Sequence, residues 1–103
     1  MLNFKLKESY TIEDLLEIMQ ILRSPEGCPW DREQTHQSIR RNFIEEVYEV
    51  CEAIDLKDDS LMIEELGDVL LQVVFHAEMA REENRFDFNT VTDGICKKLI
   101  VRH

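Results

Sequence analysis

Glu65-Leu66-Gly67-Asp68-Val69-Leu70-Leu71-Gln72-Val73-Val74-Phe75-His76-Ala77-Glu78-Met79-Ala80 is the stretch on which the fold turns. Between Leu66 and Ala80, apolar side chains such as Leu70, Leu71, Val73, Val74 and Phe75 occur almost all round a 3.6-residue repeat. The segment therefore reads as a central helix buried on most sides. A narrow polar stripe of Glu65, Asp68, Gln72 and His76 runs along it at helical spacing. Burying an isolated charge costs several kcal/mol, so carboxylates in that setting must be paired or hold a metal. Gly67 weakens the helix by about 1 kcal/mol relative to Ala, and reads as room for a neighbouring helix or a ligand.

Upstream, Lys57-Asp58-Asp59-Ser60 is a short polar connection in which Ser60 or Asp59 can cap the central helix, which reads through to about Glu83. The helix before it runs from about Ser38 to about Leu56, with Phe43, Val47, Val50, Cys51 and Ile54 on one face and Glu45, Glu49 and Glu52 opposite. So short a link makes the two helices antiparallel neighbours. Thr11-Ile12-Glu13-Asp14 opens a first helix whose Ile12, Leu15, Leu16, Met19 and Leu22 recur at helical spacing, ending near Ser24-Pro25. Pro25-Glu26-Gly27-Cys28-Pro29-Trp30-Asp31 cannot continue it and reads as a structured loop. Downstream, Asn84 to Asn89 forms a turn, and Asn89 can cap a last helix with Val91, Ile95, Leu99 and Val101 inward. The expected fold is all-α, an antiparallel bundle of about four helices, with 1–103 as one domain and 1–10 as a lead-in.

At 103 residues the chain buries a modest fraction of its surface alone, so a homodimer through the apolar central helices is expected. A formal charge of −10, with no extended basic stripe, argues against nucleic acid as a partner. The same charge repels a free nucleotide, so phosphate chemistry here needs bound cations and a few placed Lys or Arg residues. Cys28, Cys51 and Cys96 show neither C-x-x-C nor zinc spacing, which fits a reduced, cytoplasmic setting. No leader and no membrane-spanning apolar run is read in the sequence, so no membrane partner is expected.

Glu46 with Glu49, and Glu65 with Asp68, each project as an i, i+3 pair from adjacent turns. Two such pairs facing each other make an oxygen-rich cage for a hard divalent cation. The competing readings are a solvated acidic face, which does not explain the stripe on the central helix, and an ion-pair network with Arg40, Arg41, Lys97 or Lys98. A di-iron bundle would carry Glu-x-x-His, and Asp68 stands where that histidine would be. All-oxygen ligands select Mg²⁺ or Mn²⁺.

Taken in order, Gly27-Cys28-Pro29-Trp30-Asp31 with Glu33-Gln34-Thr35, Glu45-Glu46-x-x-Glu49, Glu65-Leu66-Gly67-Asp68, Gln72-Val73-Val74-Phe75, Arg85-Phe86-Asp87-Phe88 and Lys98-Leu99-x-x-Arg102-His103 resemble the MazG-type nucleoside triphosphate pyrophosphohydrolases. The resemblance runs from Tyr10 to His103 and implies an all-α enzyme that hydrolyses nucleoside triphosphates to monophosphate and pyrophosphate. It implies Glu46, Glu49, Glu65 and Asp68 as Mg²⁺ ligands, with Glu45 and Glu64 as second candidates. Lys98 and Arg102 would hold the triphosphate, with Glu64 and Trp30 also on the substrate side. The implied chemistry is attack of a metal-activated water on the α-phosphorus, with Glu45 or Glu49 orienting or deprotonating that water. Trp30 either stacks on a base or anchors the Pro-rich loop, and the anchor is the favoured reading. His76 falls outside the motif and reads as a satisfied interior histidine.

Family members usually continue past the Arg-His pair, so the chain reads as an excised or shortened domain. Two rival functions follow: a catalytically silent helical dimerisation or regulatory module, and a narrower dUTP or dCTP pyrophosphatase on the same scaffold. A ferritin-like redox site is disfavoured by the missing Glu-x-x-His pairs.

Overall fold

The computed structural model describes residues 4–102, and is helical throughout its regular structure. The helices are α1 (Ile12–Arg23), α2 (Pro29–Glu33), α3 (His36–Leu56), α4 (Asp59–Glu82) and α5 (Phe88–Arg102). The four long helices are the expected ones. Met1 to Asn3 of the lead-in, and His103 of the last motif, lie outside the described residues.

Local chemistry sets each boundary. Thr11 caps α1, with the Asp14 carboxylate accepting from the Thr11 N–H at 2.8 Å and from Lys7 Nζ at 2.6 Å. Thr35 and Ser38 exchange side-chain to backbone bonds at 2.8 and 3.1 Å to start α3, two residues earlier than its apolar pattern suggests. Lys57 ends α3 in the left-handed region at φ 55°, and Asp58, rather than Asp59 or Ser60, caps α4 by accepting from the Leu61 N–H at 3.1 Å. Asp87 takes the same role for α5 in place of Asn89, accepting from the Thr90 N–H at 2.9 Å.

The segment after α1 is more ordered than a loop. Pro29 at the first helical position, where its missing N–H costs nothing, starts the single turn of α2. Gly27 folds back over the end of α1, where a Cβ would collide with the Ile21 and Leu22 carbonyl oxygens. Arg23 pins the segment: Nη1 donates to the Asp31 and Gln34 carbonyls at 2.6 and 3.1 Å, and Nε and Nη2 hold the Glu82 carboxylate at 2.7 and 2.8 Å. Trp30 does not anchor it. Its side chain is 57% exposed, so the pinning falls to the arginine fork and the glycine.

Met19, Ile39, Val74, Phe75 and Met79 form the core, flanked by Ile12, Leu15, Leu16, Leu71 and Phe88. It lies between α1, the start of α3 and the second half of α4. Two expected faces are corrected. On α3 the side turned to α4 carries Ile39, Phe43, Glu46, Val50 and Ala53, whereas Val47, Cys51 and Ile54 are exposed. The inward stripe includes a carboxylate, so reading the face from apolar residues alone rotates it. On α5, Val91, Ile95, Leu99 and Val101 are exposed, because α5 packs against α4 alone. No helix of the described residues is long and apolar enough to cross a membrane.

Candidate metal centre

The two-residue link of Lys57 and Asp58 from α3 to α4 sets their antiparallel register, and that register brings the two i, i+3 pairs together. Carboxylate oxygens of Glu46, Glu49, Glu65 and Asp68 all lie within 4.8 Å of one another. Glu65 is 8% exposed and Glu46 and Asp68 are half-buried, while Glu49 opens to solvent. Four carboxylates so close repel each other and favour protons. The Glu65 pKa is pushed up to about 7, chiefly by a shared hydrogen bond with Glu49, then by burial and by the charges of Glu49, Asp68 and Glu46. Glu46 is raised too, by burial first and then by the charges of Glu49 and Asp68.

No cation among the described residues relieves this cluster. Among the described residues, Arg41 pairs with Glu45 at 3.4 Å and Lys97 with Asp93 at 2.8 Å, and none of the four cage carboxylates has an ion-pair partner. The ion-pair network expected as an alternative is therefore absent from these residues. Glu46 Oε2 and Glu65 Oε2 are buried with no hydrogen-bond partner, a costly state unless something positive meets them. Only oxygen donors are offered, which suits a hard divalent cation.

The other expected site residues stand apart. Glu45 and Glu64 are exposed and outside the cage. Lys98 and Arg102 lie on exposed turns of α5 and make no ion pair with the cage. No helix of the described residues approaches Gly67 closely, since a Cβ there would meet nothing within 4 Å. The stripe of α4 extends beyond the cage as expected: Gln72 is buried, and His76 meets a partner that sequence reasoning missed. His36 Nδ1 lies 2.7 Å from His76 Nδ1 with the rings stacked at 5.0 Å, and Phe43 covers His76 at 5.7 Å. His36 at the first position of α3 was the only signal, and it points nowhere without the fold.

Against known proteins, residues 34–103 match the model of the MazG nucleotide pyrophosphohydrolase domain. The chain is 59% identical over 91 residues to the nucleoside triphosphate pyrophosphohydrolase/pyrophosphatase MazG of Thermotoga maritima, covering 88% of this chain and 36% of that protein. It is 55% identical over 93 residues to the nucleoside triphosphate pyrophosphohydrolase of Escherichia coli K12, covering 89% and 35%. The enzyme of that name from Mycobacterium tuberculosis is 41% identical over 88 residues, covering 84% and 26%. The chain thus spans about a third of the length of these relatives or less. The match over residues 34–103, more than half of the chain, together with these relatives places the chain in the MazG nucleotide pyrophosphohydrolase domain family.

Proposed function

We propose that this chain is a Mg²⁺-dependent nucleoside triphosphate pyrophosphohydrolase, converting NTP and water to NMP and pyrophosphate. The observation that carries the proposal is the cage itself: four carboxylates within 4.8 Å, two with buried, unpartnered oxygens and none paired with a cation among the described residues. Glu46, Glu49, Glu65 and Asp68 would hold the metal, with Mn²⁺ as a substitute. Bound there, it would lower the pKa of water and neutralise charge on the phosphates. The bond broken is that between the α-phosphorus and the bridging oxygen to the β-phosphorus, and pyrophosphate departs with the electron pair.

Within that reaction the chain's own groups orient and charge-balance. Glu49 is our assignment for orienting the attacking water, since Glu45 lies on another face of α3, outside the cage. Lys98 and Arg102, one turn apart on α5, are the cations proposed for the triphosphate. Their exposure, and that of Val91, Ile95, Leu99 and Ile100 beside them, supports a homodimer in which a second copy covers α5. Ile44, Val47, Tyr48, Ile63, Leu66 and Leu70 form a further uncovered apolar surface on α3 and α4. The radius of gyration, 15.2 Å against ~13 Å for a compact domain of this size, fits a fold completed by a partner. Three free thiols support a reducing, cytoplasmic setting.

The test is incubation with a panel of ribo- and deoxynucleoside triphosphates and Mg²⁺, with separation of monophosphate and pyrophosphate from diphosphate and phosphate. Monophosphate and pyrophosphate in equal amounts are expected. Turnover of dUTP or dCTP alone narrows the enzyme, and no turnover with Mg²⁺ binding intact replaces it by a silent module.

A further inference from the structure

Three buried side-chain oxygens lack a hydrogen-bond partner among the described residues: Glu46 Oε2, Glu65 Oε2 and Gln72 Oε1. A cation in the cage accounts for the first two. Gln72 is not a cage ligand, yet its side chain is 8% exposed and its amide oxygen is sealed from solvent. A buried acceptor with no donor is costly enough that something supplies one in the working protein. Once a cation holds the cage, its carboxylates are ionised and only accept, so they are poor candidates.

Gln72 stands four residues after Asp68 on α4, so it lies one turn further along the same helix face, about 6 Å along the axis. Mg²⁺ held by carboxylates keeps several of its waters, and those waters are donors. We propose that Gln72 is a positioning residue for the cage. Its side-chain oxygen accepts a hydrogen bond from an O–H donor, either a water of the hydrated cation or a sugar hydroxyl of the bound nucleotide. This rests on the metal reading of the cage and adds to it a residue that touches the metal's surroundings, not the metal.

Gln72→Met removes the acceptor at nearly constant volume, Gln72→Asn withdraws it by one methylene, and Gln72→Glu retains an oxygen at the same reach. Calorimetric titration with Mg²⁺, melting of the metal-free proteins and steady-state kinetics separate the outcomes. If the donor is a metal water, the Mg²⁺ Kd rises about tenfold in Gln72→Met and Gln72→Asn and recovers in Gln72→Glu. Metal-free Gln72→Met meanwhile melts higher than wild type, because an orphaned polar atom is gone. If the donor is a sugar hydroxyl, Mg²⁺ Kd stays fixed and KM rises at constant kcat, only for nucleotides carrying that hydroxyl. Unchanged Mg²⁺ Kd, KM and kcat in both Gln72→Met and Gln72→Asn overturns the proposal. A wild-type protein that fails to bind Mg²⁺ is a different result, and overturns the metal reading together with it.

Discussion

The polar seam between α3 and α4 has two ends that solve the same problem in opposite ways. At the histidine end the chain satisfies itself. Arg85 Nη2 contacts His36 Nε2, and a guanidinium only donates, so that nitrogen accepts and the His36 proton sits on Nδ1. His36 Nδ1–H then donates to His76 Nδ1 at 2.7 Å, which leaves the His76 proton on Nε2. At the carboxylate end no described residue answers: like charges face each other and two buried oxygens have no partner. Both ends are polar groups on a largely buried helix. The difference teaches that an interior polar cluster points to a ligand when its groups cannot satisfy one another, and to structure when they can.

The sharpest way to break that contrast is to neutralise one ligand at the cage. Glu49→Gln or Asp68→Asn is expected to lower Mg²⁺-dependent hydrolysis by ~10³-fold or more, since the charge stabilisation lost amounts to several kcal/mol. Helical content by circular dichroism stays near wild type, and the metal-free variants melt higher, because repulsion inside the cage falls. Wild-type rates in both variants would sink the assignment. A cationic contribution from α5 is the next largest effect: Lys98→Ala or Arg102→Ala is expected to raise KM roughly tenfold, the scale of one charge-assisted contact to phosphate, with Mg²⁺ Kd unmoved.

At the histidine end the expected effect is smaller and confined to stability. His76→Leu removes one hydrogen bond and one stacking partner, at a cost of about 1 kcal/mol in denaturant unfolding, because half-buried His36 can turn to water. Mg²⁺ affinity is expected to be unchanged. A loss of metal binding in this variant would mean that the two ends act as one site.

How much of this the sequence carries follows from the range of the interactions. The cage was legible because each i, i+3 pair is fixed by helix geometry alone, and a two-residue link leaves α3 and α4 little freedom of register. The cap at Thr11 is local as well, whereas the one at Thr35 is passed over when the helix is read from about Ser38. What escaped depends on packing partners. The inward face of α3 includes Glu46, so apolar periodicity misplaced it toward Val47, Cys51 and Ile54. The stripe Val91, Ile95, Leu99 says that α5 has an apolar side and not what covers it. The meeting of His36 with His76, forty residues apart, has no local signature at all.

Acid separates the two ends by sign, and this gives the smallest but most discriminating prediction. Glu65 binds its proton in the native state up to about pH 7, and in the unfolded chain only up to its ordinary value of 4.5. Between those values the native state holds more protons than the unfolded one, so the cage's contribution to stability falls as pH rises through the window. His76 behaves oppositely. Burial, then the charge of His36, holds its pKa below the ordinary 6.5, so the unfolded chain binds the extra proton and stability falls as pH drops through 6.5. The charged groups around this end include both signs, Glu83 3.9 Å from His36 Nε2 and Arg85 in contact with it, so they do not cancel that trend by charge alone. Urea unfolding of the metal-free protein across pH 4.5 to 7.5 should show both slopes, and Glu65→Gln should cut the cage slope, with Glu46 supplying what remains, and leave the histidine one. Saturating Mg²⁺ should do the same, because the cation displaces the shared proton and the carboxylates stay ionised across the window. An unaltered pH profile in Mg²⁺ would place the cation somewhere other than the cage.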